Sequence, residues 1–366
     1  MNFNDVQLRY ESLRDEIDKA IHDVLGSGRF ILGPRVEAFE EEFARYCGVA
    51  KGIGVGSGTD AISIALRAIG LRPGDEVLVP AVSAPATAMA VTAVGAKPVF
   101  VDISLDDFNF LPEQCLERKT SRTKAVVAVH LYGMPARLKE ISRVGLPIVE
   151  DAAQAHGSDA KWGRCGSFGH AGAFSFYPTK NLACYGDGGM IVTSDVAIAE
   201  KARLLRNYGQ RENYSSQILG ENSRLDELHA AILRVNLRKL DEWNRRRRAI
   251  ALRYREAFQE LPLGMQAETG KSNYHLFVVM TPERDKFRAY LEECEVPTLV
   301  HYPIPLHRQK AFAEFGPARC PHADQICSRV VSLPMHAFLS DVDVDRVIEA
   351  VRGFFGHKKA QESQIF

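Results

Sequence analysis

Apolar residues recur at helical spacing over residues 5–25, where Val6, Leu13, Ile17, Ile21 and Val24 share one face and Gly26-Ser-Gly28 ends the pattern. Residues 34–46 predict a second helix, opened by a proline and with Val36, Phe39 and Phe43 on one side. Beyond residue 50 the periodicity changes. Short apolar runs at 53–55, 76–80, 98–102, 124–131, 146–150, 171–177 and 190–193 are interleaved with helical patterns such as 60–69 and 85–94. Strands buried on both faces read as unbroken apolar runs, so this alternation predicts an α/β fold, a parallel sheet covered by helices. A long helical stretch over 223–261 follows, then a strand at 274–280 and helices at 285–294 and 342–355. That switch predicts a large domain over 1–240 and a smaller α+β domain over 241–366, ending in a polar tail after Gly356.

Composition narrows the class without naming a chemistry. Of 366 residues, 46% are hydrophobic and 25% charged, as in ordinary globular proteins. Lys plus Arg equals Asp plus Glu, 46 each, so no whole-molecule field favours nucleic acid or a membrane. An anionic substrate must therefore be held by local groups. The seven cysteines are scattered and form no C-x-x-C pair, which points to reduced thiols and a cytoplasmic protein. No signal peptide, membrane-spanning run or separate DNA-binding module is read from the chain. Arg245–Arg248 sits on the long helix, where four consecutive side chains fan around the axis, and is expected to be a solvated or salt-bridged face rather than a nucleotide contact.

The chemistry concentrates where apolar runs break into polar residues. Pro147-Ile-Val-Glu-Asp151-Ala-Ala-Gln154-Ala-His156 offers an acid at a strand end, and Ser175-Phe-Tyr-Pro-Thr-Lys180 offers a lysine after the next strand. Such a pair suits a pyridoxal phosphate site: the lysine bonds the aldehyde, and the carboxylate keeps the ring nitrogen protonated. Gly52-Ile-Gly-Val-Gly-Ser-Gly-Thr59 does not match the dinucleotide fingerprint, because the third glycine position is Ser57 or Thr59. A single phosphate at the start of the following helix fits it, and so does a plain tight turn. His156 reads equally as a hydrogen-bonded structural residue. Leu299-Val-His301-Tyr302-Pro303-Ile-Pro305-Leu-His307 is a proline-stiffened loop, and its two histidines lack a third ligand, so no metal site is expected.

Four segments carry a family resemblance: Ser57-Gly-Thr-Asp-Ala61, Glu150-Asp-Ala-Ala-Gln-Ala-His156, Ser175-Phe-Tyr-Pro-Thr-Lys180 and Asn222-Ser-Arg-Leu-Asp-Glu227. In this order they resemble the sugar aminotransferases of the DegT/DnrJ/EryC1/StrS group over nearly the whole chain. The resemblance implies pyridoxal phosphate fold type I, with a mostly parallel seven-stranded sheet sandwiched by helices. It implies that Gly58, Thr59 and Ser175 hold the cofactor phosphate, that Asp151 meets the ring nitrogen and Gln154 the ring hydroxyl, and that Lys180 is the catalytic lysine. Asn222, which by itself reads as a helix N-cap, would reach the same phosphate from the neighbouring subunit of a homodimer. Ping-pong transfer from L-glutamate to a nucleotide-linked keto sugar is implied, for polysaccharide, lipid A-type or natural-product sugars. Tyr177, Arg224, His301 and Tyr302 are the implied substrate contacts, and the H-Y-P-x-P-x-H loop favours a 3-keto over a 4-keto sugar. Ala84 stands where relatives place an aromatic residue on the ring, so a smaller side chain or another aromatic must fill that face. A pyridoxal phosphate lyase or desulfurase and a regulatory protein without turnover are the competing readings.

Overall fold

The computed structural model describes residues 1–212 and 214–362, with side chains up to residue 356; the end of the polar tail, 363–366, lies outside the described residues. Seven strands form the main sheet: β1 (Lys51–Val55), β2 (Glu76–Pro80), β3 (Lys97–Val101), β4 (Thr123–Val129), β5 (Ile148–Asp151), β6 (Ala171–Ser175) and β7 (Gly189–Thr193). Their spatial order is β1-β7-β6-β5-β4-β2-β3. Only β7 runs against its neighbours, pairing antiparallel with both β1 and β6. The fold is thus the mostly parallel α/β sheet that the alternating pattern predicts.

Burial explains why the strands read as continuous apolar runs. All five residues of β2 and of β7 are buried, because helices cover both faces. Val79, Val127, Val149 and Ile191 pack beneath helix Gly58–Ala68 with Ile62, Ile64 and Leu66 in one core cluster. Register carries the chemistry to one edge. Val129 pairs with Asp151, and Asp151 with Ala173, so the carboxyl ends of β4, β5 and β6 lie side by side.

A second, antiparallel sheet contains β8 (Gly264–Met265), β9 (Phe277–Met280) and β10 (Val330–Leu333). Along β9 the side chains alternate: Phe277 and Val279 pack with Tyr254, Phe258, Phe287 and Val347, while Val278 joins the core of the main sheet. Asp102, just past β3, caps helix Pro321–Arg329 through the amides of His322 (3.0 Å) and Ala323 (2.8 Å). These contacts tie the two sheets together.

Several elements differ from the expected ones. The first helix is two, Val6–Glu11 and Arg14–Ser27, because the Ser12 hydroxyl bonds back to the Arg9 carbonyl and Leu13 turns into the core. The long stretch over 223–261 is also two helices, Glu227–Leu237 and Leu240–Phe258. Asn236 donates to the Ala183 carbonyl (2.8 Å) at the bend, so tertiary bonding overrides the continuous periodicity. Since that helix begins at Glu227, Asn222 is not its N-cap; Asp226 occupies that position. Arg247 departs from the expected solvated face: it is buried and donates to the carbonyls of Tyr274, His275 and Met335. Its neighbour Arg246 does pair with Asp341 at 2.8 Å. No helix among the described residues is long and apolar enough to cross a membrane.

Candidate active site

Parallel sheets open at their carboxyl ends, and part of the sequence-predicted set lies there. Helix Gly58–Ala68 starts at this edge, with Ser57 as its N-cap accepting from the Asp60 amide at 3.1 Å. The amides of Gly58 and Thr59 are left without a partner among the described residues. Two free N–H groups at a helix start, with the positive end of the helix dipole, suit an anion. Ser175, at the end of β6, is pressed against this turn: a β-carbon on Gly58 would stand 2.6 Å from the Ser175 β-carbon. Ser223 braces the turn from behind, accepting from the Gly56 amide (2.9 Å) and donating to Asp60 (2.7 Å).

Lys180 follows β6 on a short turn closed by its amide on the Tyr177 carbonyl at 2.9 Å. The side chain keeps some exposed surface, but protein atoms crowd its amino group, and desolvation brings its pKa down to about 8 against the upward pull of Asp151. Asp151 is buried at the end of β5. Its carboxylate accepts from the Thr87 hydroxyl at 2.7 Å and from the Ala153 amide at 3.2 Å. Gln154 is oriented from both ends: its Oε1 accepts from the Tyr132 amide (2.6 Å) and its Nε2 donates to the Tyr302 hydroxyl (2.9 Å). Tyr302 thereby joins Asp151 and Gln154, and burial pushes its phenol well above the ordinary range.

Histidines surround the lysine and are held neutral. His156 is fully buried among Phe43, Phe174 and Phe176, and desolvation together with the Lys180 charge lowers its pKa to about 3. His301 falls to about 4 for the same two reasons, and His275 lies well below its usual value. His301 is fixed by Ser332 through Nδ1 at 2.9 Å, and His275 by Asn181 at 3.1 Å. The N-terminal segment completes this side: Phe3 lies 6.1 Å from the His301 ring, and Asn4 donates to the Thr179 carbonyl.

Not every expected residue joins this group. Tyr177 is 50% exposed beyond Ser175. Arg224 bonds Asn207 at 3.1 Å and lies over the Tyr208 ring, and the exposed Asn222 has no side-chain partner among the described residues of its own chain. His307 is turned away from the lysine toward Asp324, at 3.3 Å. Ala84 caps helix Pro85–Ala93 without a side-chain bond. Thr87, Ser83, Tyr132, Asn181 and His275 escaped the sequence reading. Thr87 and Ser83 stand in the same short segment as Ala84, whereas nothing in the sequence near His275 connects it with Lys180.

The arrangement offers an anion cradle, a lysine whose proton affinity is lowered by burial, and a buried carboxylate at one edge of the sheet. Those groups complement a phosphate, an aldehyde and a basic ring nitrogen respectively. The model of the DegT/DnrJ/EryC1/StrS aminotransferase family matches residues 11–352. The chain is 46% identical to dTDP-3-amino-3,4,6-trideoxy-alpha-D-glucose transaminase of Streptomyces venezuelae, covering 96% of this chain and 95% of that protein. It is 45% identical to the erythromycin biosynthesis sensory transduction protein EryC1 of Saccharopolyspora erythraea, over 96% and 98% of the two chains. It is 42% identical to UDP-N-acetyl-3-dehydro-alpha-D-glucosamine 3-aminotransferase of Acidithiobacillus ferrooxidans, over 95% and 96%. Among solved structures, that of S. venezuelae DesV in complex with a ketimine intermediate superposes with a TM-score of 0.94 at 45% identity, covering 96% of this chain and 98% of DesV.

Proposed function

The chain belongs to the DegT/DnrJ/EryC1/StrS aminotransferase family, and from that premise we propose that it uses pyridoxal phosphate to move an amino group from L-glutamate to C3 of a nucleotide-linked 3-keto sugar. The observation that carries this reading is the crowded Lys180 amine beside the buried Asp151 carboxylate. The 3-amino and 3-aminotransferase names of the two relatives above support position C3.

The residues present fit the cofactor. The Gly58 and Thr59 amides and the Ser175 hydroxyl would hold its phosphate, Lys180 its aldehyde carbon, Asp151 its ring nitrogen and Gln154 its ring hydroxyl. When bound, pyridoxal phosphate supplies an electron sink for cleavage of the Cα–H bond. Lys180 Nζ, with its proton affinity lowered, would take the proton from Cα of the amino donor and deliver it to the carbon that was the cofactor's aldehyde. Asp151 keeps the proton on the ring nitrogen. With His156, His275 and His301 neutral, burial is the effect that lowers the proton affinity of Lys180, against the pull of Asp151. His301 and Tyr302, with Tyr177 and Arg224 at the margin, would contact the sugar nucleotide. We propose further that Asn222 completes the phosphate site of a partner chain in a homodimer, because it is exposed and its side chain has no partner among the described residues of its own chain.

The deciding assay offers the purified protein pyridoxal phosphate, L-glutamate and a panel of 3-keto and 4-keto dTDP- and UDP-sugars. Formation of 2-oxoglutarate with a 3-keto sugar alone is expected. Turnover confined to 4-keto sugars would overturn the assignment of carbon. Cofactor binding without turnover on any sugar would favour the regulatory reading that the sensory transduction name of one relative suggests.

A further inference from the structure

We infer that Thr87, backed by Ser83, is a positioning residue that holds Asp151 in its charged, oriented form for the reaction. This rests on the reading of Asp151 as the partner of the cofactor ring nitrogen. All three residues are buried, at 0% exposure for Thr87, 2% for Ser83 and 6% for Asp151. Thr87 Oγ1 lies 2.7 Å from Asp151 Oδ2, and Ser83 Oγ lies 2.7 Å from Thr87 Oγ1.

A threonine hydroxyl has one proton to donate. An ionised carboxylate only accepts, so that proton goes to Asp151. The contact with Ser83 must then run from the serine to the threonine oxygen. The chain therefore has a single polarity, Ser83 to Thr87 to Asp151, for as long as the carboxylate is charged. Donation to a carboxylate is stronger than between neutral groups and favours the charged form. With the cofactor bound, the carboxylate would compete with the ring nitrogen for one proton, so whatever stabilises its charge would keep that proton on the ring. Thr87 also lies in the first turn of helix Pro85–Ala93, whose positive end adds to the same preference. Among the described residues Asp151 Oδ1 accepts only the longer bond from the Ala153 amide, 3.2 Å, which leaves acceptor capacity for one further donor.

Thr87→Val removes the hydroxyl at nearly constant volume, and Thr87→Ser restores it. Each variant, loaded with pyridoxal phosphate labelled with nitrogen-15 in the ring, reports by its chemical shift whether the proton sits on the ring nitrogen. Wild type and Thr87→Ser are expected to give the protonated signal. Thr87→Val should move toward the neutral value and lose about tenfold or more in kcat, with substrate KM within about twofold, since a bond to a charged group is lost. Ser83→Ala should shift the signal the same way by less, and it carries the test if Thr87→Val does not fold. Wild-type signal and kcat in Thr87→Val overturn the inference, whatever the loss in thermal stability. Asp151→Asn is the control: a wild-type ring signal there would overturn the assignment of Asp151 itself, beneath any role of Thr87.

Discussion

Gly58 and Ser175 approach so closely that a methyl group on the glycine would stand 2.6 Å from the serine β-carbon and 3.1 Å from its α-carbon. The two residues are 117 positions apart in sequence, yet together they form the mouth of the anion cradle. Gly58→Ala must therefore push the end of β6 away from the helix start. A loss of at least about tenfold in pyridoxal phosphate affinity is expected, with a modest fall in stability of about 1–3 kcal/mol from overpacking. Cofactor titration followed by protein fluorescence measures the first and urea unfolding the second; unchanged affinity would remove the phosphate from this turn.

Lys180 should react with the cofactor in a pH-dependent way set by its amine. With a pKa near 8 rather than its usual 10.5, half of the amine is neutral at pH 8, where an ordinary lysine would have under about 1%. The rate at which cofactor-free protein captures pyridoxal phosphate should rise about tenfold per pH unit below pH 8 and level off above it. Stopped-flow absorbance reads this directly. Lys180→Ala should bind without covalent capture and show no turnover, while keeping wild-type circular dichroism.

Glu227 is a cap borrowed from another helix. Its carboxylate accepts from the amides of Gly33 (2.9 Å), Arg35 (2.9 Å) and Val36 (2.8 Å), at the start of helix Pro34–Cys47, whose own N-cap glycine has no side chain to offer. Glu227→Ala leaves those donors without an acceptor and should destabilise the protein by about 2–3 kcal/mol, and Glu227→Gln by about 1 kcal/mol. Urea unfolding midpoints would check both, and equal stability of all three proteins would contradict the capping role.

Acid should weaken the fold before carboxylates titrate. The unfolded chain protonates His156 below about pH 6.5, whereas the folded, buried imidazole stays neutral down to about 3. Its contribution is complete above pH 6.5 and declines as pH falls toward the folded value, by up to about 1.4 kcal/mol per pH unit. His275, also buried and shifted down, acts in the same direction. Between pH 6 and 5 the unfolding free energy of His156→Leu should fall less steeply than that of wild type. Parallel slopes would show that the imidazole is protonated in the folded protein.

Shared sites predict complementation. If each site takes Asn222 from the partner chain, mixing Lys180→Ala with Asn222→Ala subunits gives a heterodimer with one doubly damaged and one intact site. Activity absent from either parent should then return after subunit exchange, to roughly a quarter of wild type for random pairing. Parents that exchange subunits without regaining activity would place Asn222 in its own chain's site or in none.

The alternation of apolar runs with helical patterns determined the α/β sheet by itself, because strands covered on both faces must be apolar throughout. The polar breaks after β5 and β6 likewise exposed Asp151 and Lys180, since parallel strands put their chemistry at their carboxyl ends. Where the chain bends was not written in the pattern. The turn at Leu237–Leu240 lacks glycine and proline and is set by packing and by the bond from Asn236 to Ala183, which periodicity does not register. Arg247 reads as one of four surface arginines and is buried because three carbonyls from later segments converge on it. The same holds in the site. Thr87 and His275 sit 64 and 124 residues from the Asp151 position, and only the folded chain brings the hydroxyl to the acid and the imidazole near the lysine. Local sequence specifies which groups can react; the long-range contacts decide which protonation states and orientations they hold, because desolvation and hydrogen-bond partners exist only after the chain has closed around them.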